Sequence, residues 1–368
     1  MIEIIFSILI FSTGIYTSYI YFFYCGLKKN KIIKSENELM VSVVIPAHNE
    51  ENNILLLLNS LKNQNYPRDK FEVIIVDDNS TDKTKLLVEI FSSENINFNI
   101  ISSTKIVDGL SPKVVAQNHG IENSRNEIII LTDADCVVNE NWIKSLVSNF
   151  ENGTAIVTGA TIFNKRNNNF LFSMQQLDYS SHNAISAGTI GQNLITNANG
   201  TNFAIRRIAL NQVGGILQVA KHFSGEDSYL AQLFTNTKWK VKFIFEKDSI
   251  VKTNPVESWS EFFNQRIRWS RQTKYYSVPL KIFLYSTALM HIILLFALPL
   301  SVIYFHPLPF AVFVTKIFFD YLFLNKYFTL IDKRELMKDF LKAELFHLPT
   351  TLYIALFGYF GKIIWKRK

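Results

Sequence analysis

The sequence predicts an α/β protein in which a mostly parallel sheet, covered by helices on both faces, is flanked by membrane helices at each end of the chain. Three observations predict it. Apolar residues concentrate at the ends, where Ile4 to Leu27 and Ile282 to Thr315 carry no charged side chain. Between them, over residues 40–255, short β-rich runs alternate with amphipathic stretches, the order that builds parallel sheets. Three of those short runs end in acidic residues, at the edge where such sheets bind ligands.

The ends come first. Of 368 residues, 48% are hydrophobic and 14% aromatic, and roughly 20 apolar residues are enough to cross a bilayer. The first run begins at Glu3 and closes on Tyr24-Cys25-Gly26-Leu27, without the basic start or small-residue cleavage site of a signal peptide, so residues 1–27 are expected to form a retained anchor. Lys28, Lys29, Lys31 and Lys34 follow directly, and basic flanks stay on the cytoplasmic side. A multi-pass protein of the cell (inner) membrane with a cytoplasmic central domain is the expectation. The C-terminal membrane region, 282–362, is expected to hold two or three helices. A span near 282–305 breaks at His306-Pro307-Leu308-Pro309, and a segment near 310–324 carries Lys316 and Asp320, four apart and able to neutralise each other on one helix face. A last apolar run covers about 345–361. The basic tail Lys362, Lys366, Arg367 and Lys368 prefers the cytoplasm, so one of the three segments is expected to be re-entrant or interfacial.

The formal charge of +7 suits an anionic lipid surface or an anionic ligand. No basic run interleaved with aromatics supports a nucleic-acid partner. Cys25 and Cys136 make neither a disulfide framework nor metal-ligand spacing, which fits a reducing compartment.

In the middle, Val41 to Ile45 reads as a strand stopped by Pro46. Glu50 to Leu61 places Ile54, Leu57, Leu58 and Leu61 on one helical face. Val73 to Val76 is a second buried strand. Ser80 or Thr81 is positioned to cap a helix through Leu86, Leu87 and Ile90. Phe98 to Ser102, Lys113 to Glu122 and Ile128 to Leu131 continue the alternation as strand, helix, strand. Asn167 to Asn169 is an expected loop, and 154–198 is the least readable stretch.

The chemistry gathers at strand ends. "LTDADC", residues 131–136, places Asp133 and Asp135 two apart, so an extended chain aims both the same way. Alone the pair is as consistent with a solvated turn. The first strand, however, ends in Pro46-Ala47-His48-Asn49-Glu50 and the second in Asp77-Asp78. Several carboxylates at one sheet edge repel unless a cation or several donors hold them. Mg2+ or Mn2+ answers that need, and Mg2+ commonly completes its shell with phosphate oxygens and water, which points to a nucleotide diphosphate.

Taken in order, "VSVVIPAHNE" (41–50), "VIIVDDNSTD" (73–82), "SPKVVAQNHG" (111–120), "LTDADC", "NGTNFAIRR" (199–207), "GEDSYL" (225–230) and "QRIRW" (265–269) resemble the inverting family 2 glycosyltransferases, which have the GT-A fold. The likeness covers about 230 residues, and the hydrophobic ends look like those of the membrane-anchored members. It implies that Asp78, with the loop Pro46, Asn49 and Glu50, holds the nucleoside of a UDP-sugar. It implies a metal on Asp135, with Asp133 beside it on the sugar-nucleotide side. Lys113 could add positive charge to the diphosphate, or be an ordinary helix-start residue. Asp227 matches the family's catalytic base, with Glu226 adjacent; both would also suit a helix N-terminus. One base without a second nucleophile suits a single displacement. Residues 256–280 read as an interfacial segment, and the Q-x-x-R-W likeness implies that Trp269 floors an acceptor pocket, Arg268 faces the diphosphate and Gln265 supports them. A pocket at the bilayer surface suggests a lipid or lipid-linked acceptor, in glycolipid or cell-envelope glycan synthesis.

Three other readings remain. A nucleotidyltransferase shares the strand-end aspartates and the metal but leaves Glu226-Asp227 and the Trp269 segment unexplained. A processive polysaccharide synthase subunit shares the motifs but has few helices for a channel. A membrane scaffold that binds nucleotide sugars without turnover shares the binding residues. His48, His119, His182 and His222 show no metal spacing and are expected to be structural or exposed; Arg206 and Arg207 suit either a phosphate or a salt bridge closing the loop after Gly200.

Overall fold

The computed structural model describes residues 2–30, 35, 38–103, 108–164, 169–271, 273 and 276–360. It comprises two compact units. One gathers residues 30–164 and 189–254 around a sheet; the other gathers 1–29, 165–188 and 255–367, and its described part is helical.

In the sheet unit the elements run β1 (Val41–Ala47), α2 (Ile54–Lys62; α1 lies in the other unit), β2 (Phe71–Asp77), α3 (Thr84–Glu94), β3 (Phe98–Ser102), α4 (Pro112–Glu122), β4 (Ile128–Leu131), α5 (Trp142–Val147), β5 (Thr154–Gly159), β6 (Thr161–Phe163), β7 (Phe203–Arg206), α7 (Arg207–Gln212), α8 (Glu226–Gln232), β8 (Lys240–Ile244) and β9 (Val251–Thr253). The seven-stranded sheet has the order β3-β2-β1-β4-β7-β5-β8. All neighbours are parallel except β7, which runs against both β4 and β5. A second, two-stranded parallel sheet pairs β6 with β9.

The continuous apolar runs of β1, β2 and β4 are buried because helices cover both faces, as parallel sheets require. One face packs Val43, Ile45, Val73, Ile75, Ile128 and Ile130 against Leu57, Leu58, Trp142 and Leu146. The other packs Val44, Ile74, Val76, Ile129 and Leu131 against Val114, Ala116, Phe203 and Leu230.

Beneath the sheet's carboxyl edge, Asn202 is fully buried and has its side chain occupied. Its amide nitrogen donates to the carbonyls of Ala160 (3.0 Å) and Ser249 (2.7 Å), and its oxygen accepts from Trp142 Nε1 (3.0 Å). Buried amides without such partners cost free energy, so this site is specific to Asn.

Two helix starts differ from the sequence expectation. The stretch from Glu50 makes a turn first, with Asn53 and Ile54 N–H donating to the Glu50 carbonyl, and α2 begins at Ile54. Ser80 and Thr81 do not cap α3. The cap position falls on Lys83, and Asp82 before it accepts from the Thr84 N–H at 2.9 Å and the Thr84 hydroxyl at 2.6 Å. Those bonds hold the Asp82 carboxyl below its ordinary pKa, although its slight burial pulls the other way. Ser80 and Thr81 serve the neighbouring loop instead, as described below. Asn167 and Asn168 of the expected loop, Lys31 and Lys34, and the basic tail lie outside the described residues.

The helical unit contains α1 (Ile2–Leu27), most of α6 (Phe170–Gly191), α9 (Trp259–Ser270), α10 (Val278–Ile303), α11 (Leu308–Leu330) and α12 (Phe340–Phe360). Among the described residues, α1, α10 and α11 are long and apolar enough to cross a membrane. α12 carries Lys342, Glu344 and His347 in its first half. Lys316 and Asp320 do pair on one face of α11, at 2.7 Å, and the pair is part of a larger buried cluster. Lys316 Nζ also reaches Glu344 Oε2 at 2.5 Å and His347 Nδ1 at 3.4 Å, while the Tyr16 hydroxyl donates to Asp320 at 2.5 Å. The three N–H donors of one ammonium group thereby find three acceptors on α11 and α12.

α9 faces α6 with a polar and aromatic stripe. Gln175, Asp178, Tyr179 and His182 recur at helical spacing on α6. Asp178 forms an ion pair with Arg266, whose side chain is 2% exposed.

Candidate active site

The register of the parallel strands sets the site. Ala47 lies opposite Asp77 and Val44 opposite Leu131, so the chain leaves β1, β2 and β4 at one common edge. There the loops after β1 and β2 are stitched together. The Asp78 N–H donates to the Ala47 carbonyl at 2.8 Å and its own carbonyl contacts His48 Nδ1 at 2.6 Å. The Asn49 N–H donates to Ser80 Oγ at 3.1 Å, Thr81 N–H donates to Asn49 Oδ1 at 2.8 Å, and Glu50 N–H donates to Thr84 Oγ1 at 2.7 Å. Asn49 and Asn79 both take positive φ, 54° and 59°, which asparagine tolerates better than most residues. Pro46, Asn49, Glu50 and Asp78 thus share one half-buried, hydrogen-bonded loop pair. Asp77 is 5% exposed and turned inward, accepting from the Ser80 N–H.

A second group forms where β4, α4 and α8 meet. Lys113, in the first turn of α4, places its ammonium 2.8 Å from Asp133 Oδ1 and 3.1 Å from Glu226 Oε1. Burial opposes its charge, but Asp133 and Glu226 together hold its pKa well above the ordinary lysine value. The lysine is therefore an ion-pair partner joining two elements rather than a loose surface group. Asp135 accepts from the Thr253 hydroxyl at 3.1 Å, a residue of β9 that sequence reasoning did not single out. Burial first, and the Asp133 charge second, push the Asp135 carboxyl above its usual range.

Asp227 opens α8. Its Oδ2 accepts the Gly200 N–H at 2.5 Å and its Oδ1 accepts the Ser228 N–H at 2.7 Å. Burial and the neighbouring Glu226 raise its pKa to about 7, against Lys113 and those two N–H groups. Gly200 is needed for this contact, because a Cβ there would sit 2.8 Å from Asp227 Oδ2. The antiparallel run of β7 explains the meeting: it enters the sheet at this edge, so the Asn199-Gly200 turn before it lies beside α8. Arg206 and Arg207 are consequently at the opposite edge, where Arg206 pairs with Glu127 and Arg207 donates to the Asn126 and Ile121 carbonyls.

The donor set suits a divalent cation. Among the described residues no group of three or more His, Cys, Asp or Glu side chains is arranged to hold a metal; Asp133 and Asp135 are two carboxylates, two residues apart after β4, that could contribute to one. That is the one-or-two-carboxylate supply with which Mg2+ commonly binds, phosphate and water filling its shell. Asp135, half-buried and beside the Asp133 charge, is the group an added cation would relieve most.

Gln265, Arg268 and Trp269 all lie on α9 of the helical unit. Trp269 is bordered by Tyr179 at 5.7 Å and His182 at 6.1 Å between ring centroids, and Arg266 stacks over it at 4.2 Å. His182 is thus exposed yet engaged, its ring edge-on to the indole. Asp178, Tyr179 and Arg266 were not legible as part of this arrangement; the polar spacing on α6 is the signal that points to them.

Residues 42–214 match the model of glycosyl transferase family 2. That stretch is a domain of this family. A probable glycosyltransferase of Bacillus subtilis, YdaM, is 31% identical over 238 residues, 64% of this chain and 55% of the relative. Beta-monoglucosyldiacylglycerol synthase of Nostoc is 28% identical over 237 residues, 62% of this chain and 48% of the relative. The chain therefore spans about half the length of each. Among solved structures, a mannosyltransferase from Pyrobaculum calidifontis, in complex with GDP-Man and Mn2+, superposes with a TM-score of 0.63 at 18% identity, covering 97% of this chain and 99% of that one. The likeness shows the fold: a GT-A sheet domain with apolar helices at both ends of the chain.

Proposed function

We propose that this family 2 protein transfers a sugar from a UDP-sugar to a lipid or lipid-linked acceptor, with inversion at the anomeric carbon. The observation that carries the reading is Asp227. It is a carboxylate held by two backbone N–H groups, tuned to about 7, beside an ion-paired lysine and the Asp133–Asp135 pair. A base with a pKa near working pH is the most effective.

In this reading Asp78 and the Pro46, Asn49 and Glu50 loop bind the nucleoside. Asp133 and Asp135 hold Mg2+ or Mn2+, which when bound supplies a Lewis acid for the leaving diphosphate. Asp227 takes the proton of the acceptor hydroxyl as its oxygen bonds to the anomeric carbon. The bond from that carbon to the diphosphate breaks on the opposite side, and UDP departs with the electron pair. Glu226 and Lys113 set the local charge: Glu226 keeps the Asp227 carboxyl basic, and Lys113 keeps Glu226 and Asp133 paired. Gln265, Arg268 and Trp269 serve the acceptor and diphosphate. A lipid acceptor is favoured by the three helices long enough to cross a membrane and by the diacylglycerol in the Nostoc relative's name. The basic residues Lys28 and Lys29 after α1 favour a multi-pass arrangement with the sheet unit in the cytoplasm.

The test is UDP release by the full chain in phosphatidylglycerol vesicles. The vesicles contain diacylglycerol, undecaprenyl phosphate or neither, and are given a panel of UDP-sugars with and without Mn2+ or Mg2+. Metal-dependent release that requires one of the added lipids supports the reading and names the donor. Metal-dependent UDP binding with no release under any condition replaces it with the scaffold.

A further inference from the structure

The helical unit holds a charged device that the reading above does not use. Arg266 lies inside the Q-x-x-R-W stretch but is not one of its named positions, and its side chain is almost completely buried. Its guanidinium bonds to the Asp178 carboxylate through Nε, to Gln265 Oε1 through Nη1 and to the Gln175 carbonyl through Nη2, the last at 3.4 Å. Its flat face lies 4.2 Å from the centre of the Trp269 ring and 4.8 Å from that of Phe262. One planar group therefore fixes two of the three residues assigned to the acceptor, Gln265 by a hydrogen bond and Trp269 by stacking, and is itself aimed by Asp178. A buried arginine has no reason to hold one rotamer unless its donors are matched, and Asp178 supplies the ionic match. The Arg266 guanidinium also keeps the Asp178 carboxyl below its usual pKa, against burial.

We propose that Asp178 and Arg266 are positioning residues for the acceptor: the pair orients the Trp269 indole and the Gln265 amide, so that its loss weakens acceptor binding while leaving the donor site intact. The proposal rests on the reading that Trp269 lines the acceptor pocket, and the experiment separates the two.

The chain, in detergent micelles, is labelled with 5-fluorotryptophan, and the Trp269 resonance is identified as the one missing from Trp269→Phe. Asp178→Asn and Arg266→Lys are expected to shift or broaden that resonance and leave the other tryptophans in place. Arg266→Lys keeps the charge and loses the plane. Asp178→Glu is expected to restore it. In the vesicle assay the same two variants are expected to raise the KM for the lipid acceptor about fivefold to tenfold, the range of a lost desolvated stack, with kcat and the UDP-sugar KM within about twofold. If either single variant fails to fold, Asp178→Asn/Arg266→Met, which leaves no buried charge unpaired, takes its place.

An unmoved Trp269 resonance in Asp178→Asn or the double variant overturns the proposal, whatever the acceptor turns out to be. A raised KM in Trp269→Phe but not in Asp178→Asn also overturns it. An unchanged KM in Trp269→Phe itself refutes the acceptor role of Trp269 instead, and the resonance still decides whether Asp178 and Arg266 hold the ring.

Discussion

The two units treat clustered charge in opposite ways. In the helical unit the charges close on one another. Lys316 meets Asp320 and Glu344, Tyr16 completes Asp320, and Arg266 meets Asp178. At the edge of the sheet unit, Asp133, Asp135, Glu226 and Asp227 gather around a single ion-paired lysine among the described residues. The consequence is visible in their protonation. Asp178 is held down by its partner, whereas Asp135 and Asp227 are pushed up by burial and by an adjoining carboxylate, Asp133 for the first and Glu226 for the second. Charges that hold a fold are matched. At the sheet edge four carboxylates share one ammonium group, and an excess of like charge of that kind raises carboxyl pKa values, as it does in sites that use them under the function proposed above.

The comparison can be broken at either end. Asp227→Asn should have the largest effect on turnover, lowering kcat by about 10² to 10⁴, with UDP affinity by calorimetry unchanged. Near wild-type turnover would remove Asp227 from the mechanism. In the helical unit, Lys316→Met should cost about 3 to 5 kcal/mol, because it strands two buried carboxylates. Thermal unfolding in detergent reads this as a large fall in Tm, recovered in Lys316→Met/Asp320→Asn/Glu344→Gln; a single variant as stable as the parent would show the cluster to be idle.

Two smaller effects sharpen the contrast. Gly200→Ala should slow turnover by roughly tenfold to a hundredfold, as overpacking by about 1 to 3 kcal/mol displaces Asp227, with donor binding preserved. The pH profile is the mildest probe. A base must be unprotonated to accept, so the rate should climb with pH, about tenfold per unit, up to a folded-state value of about 7, and flatten above it. The residual rate of Asp227→Asn should lack that limb, and a profile flat from pH 5 to 8 in the parent would assign the base elsewhere.

What the sequence makes legible follows from how local the signal is. β1, β2 and β4 are continuous apolar runs ended by polar residues, so their existence and their shared edge can be read directly. Asp133, Asp135 and Asp227 follow from motif and spacing. The start of α2 is not legible, because Glu50 to Asn53 has helical composition but spends its first backbone bonds on a turn. The antiparallel run of β7 is hidden in a strand of four residues. Lys113 is ambiguous alone; only the approach of α8, more than a hundred residues later, turns it into a partner of Glu226. The partners of Trp269 are hidden for the same reason, since Asp178 and Arg266 sit 88 residues apart in the chain. The spacing of Asp178 with Gln175, Tyr179 and His182 is a faint helical stripe in a stretch without strong periodicity.

Asn202 bears on how the chain reaches this arrangement. A strand slipped by one residue exchanges its two faces, and β7 in such a register would bring Thr201 or Phe203 to the place of Asn202. Trp142 Nε1 and the carbonyls of Ala160 and Ser249 would then lose their shared partner inside the protein. A misaligned β7 is thus penalised at three points at once, on the strand that brings Gly200 to Asp227. One buried amide thus ties the register of a four-residue strand to the position of the turn that meets Asp227.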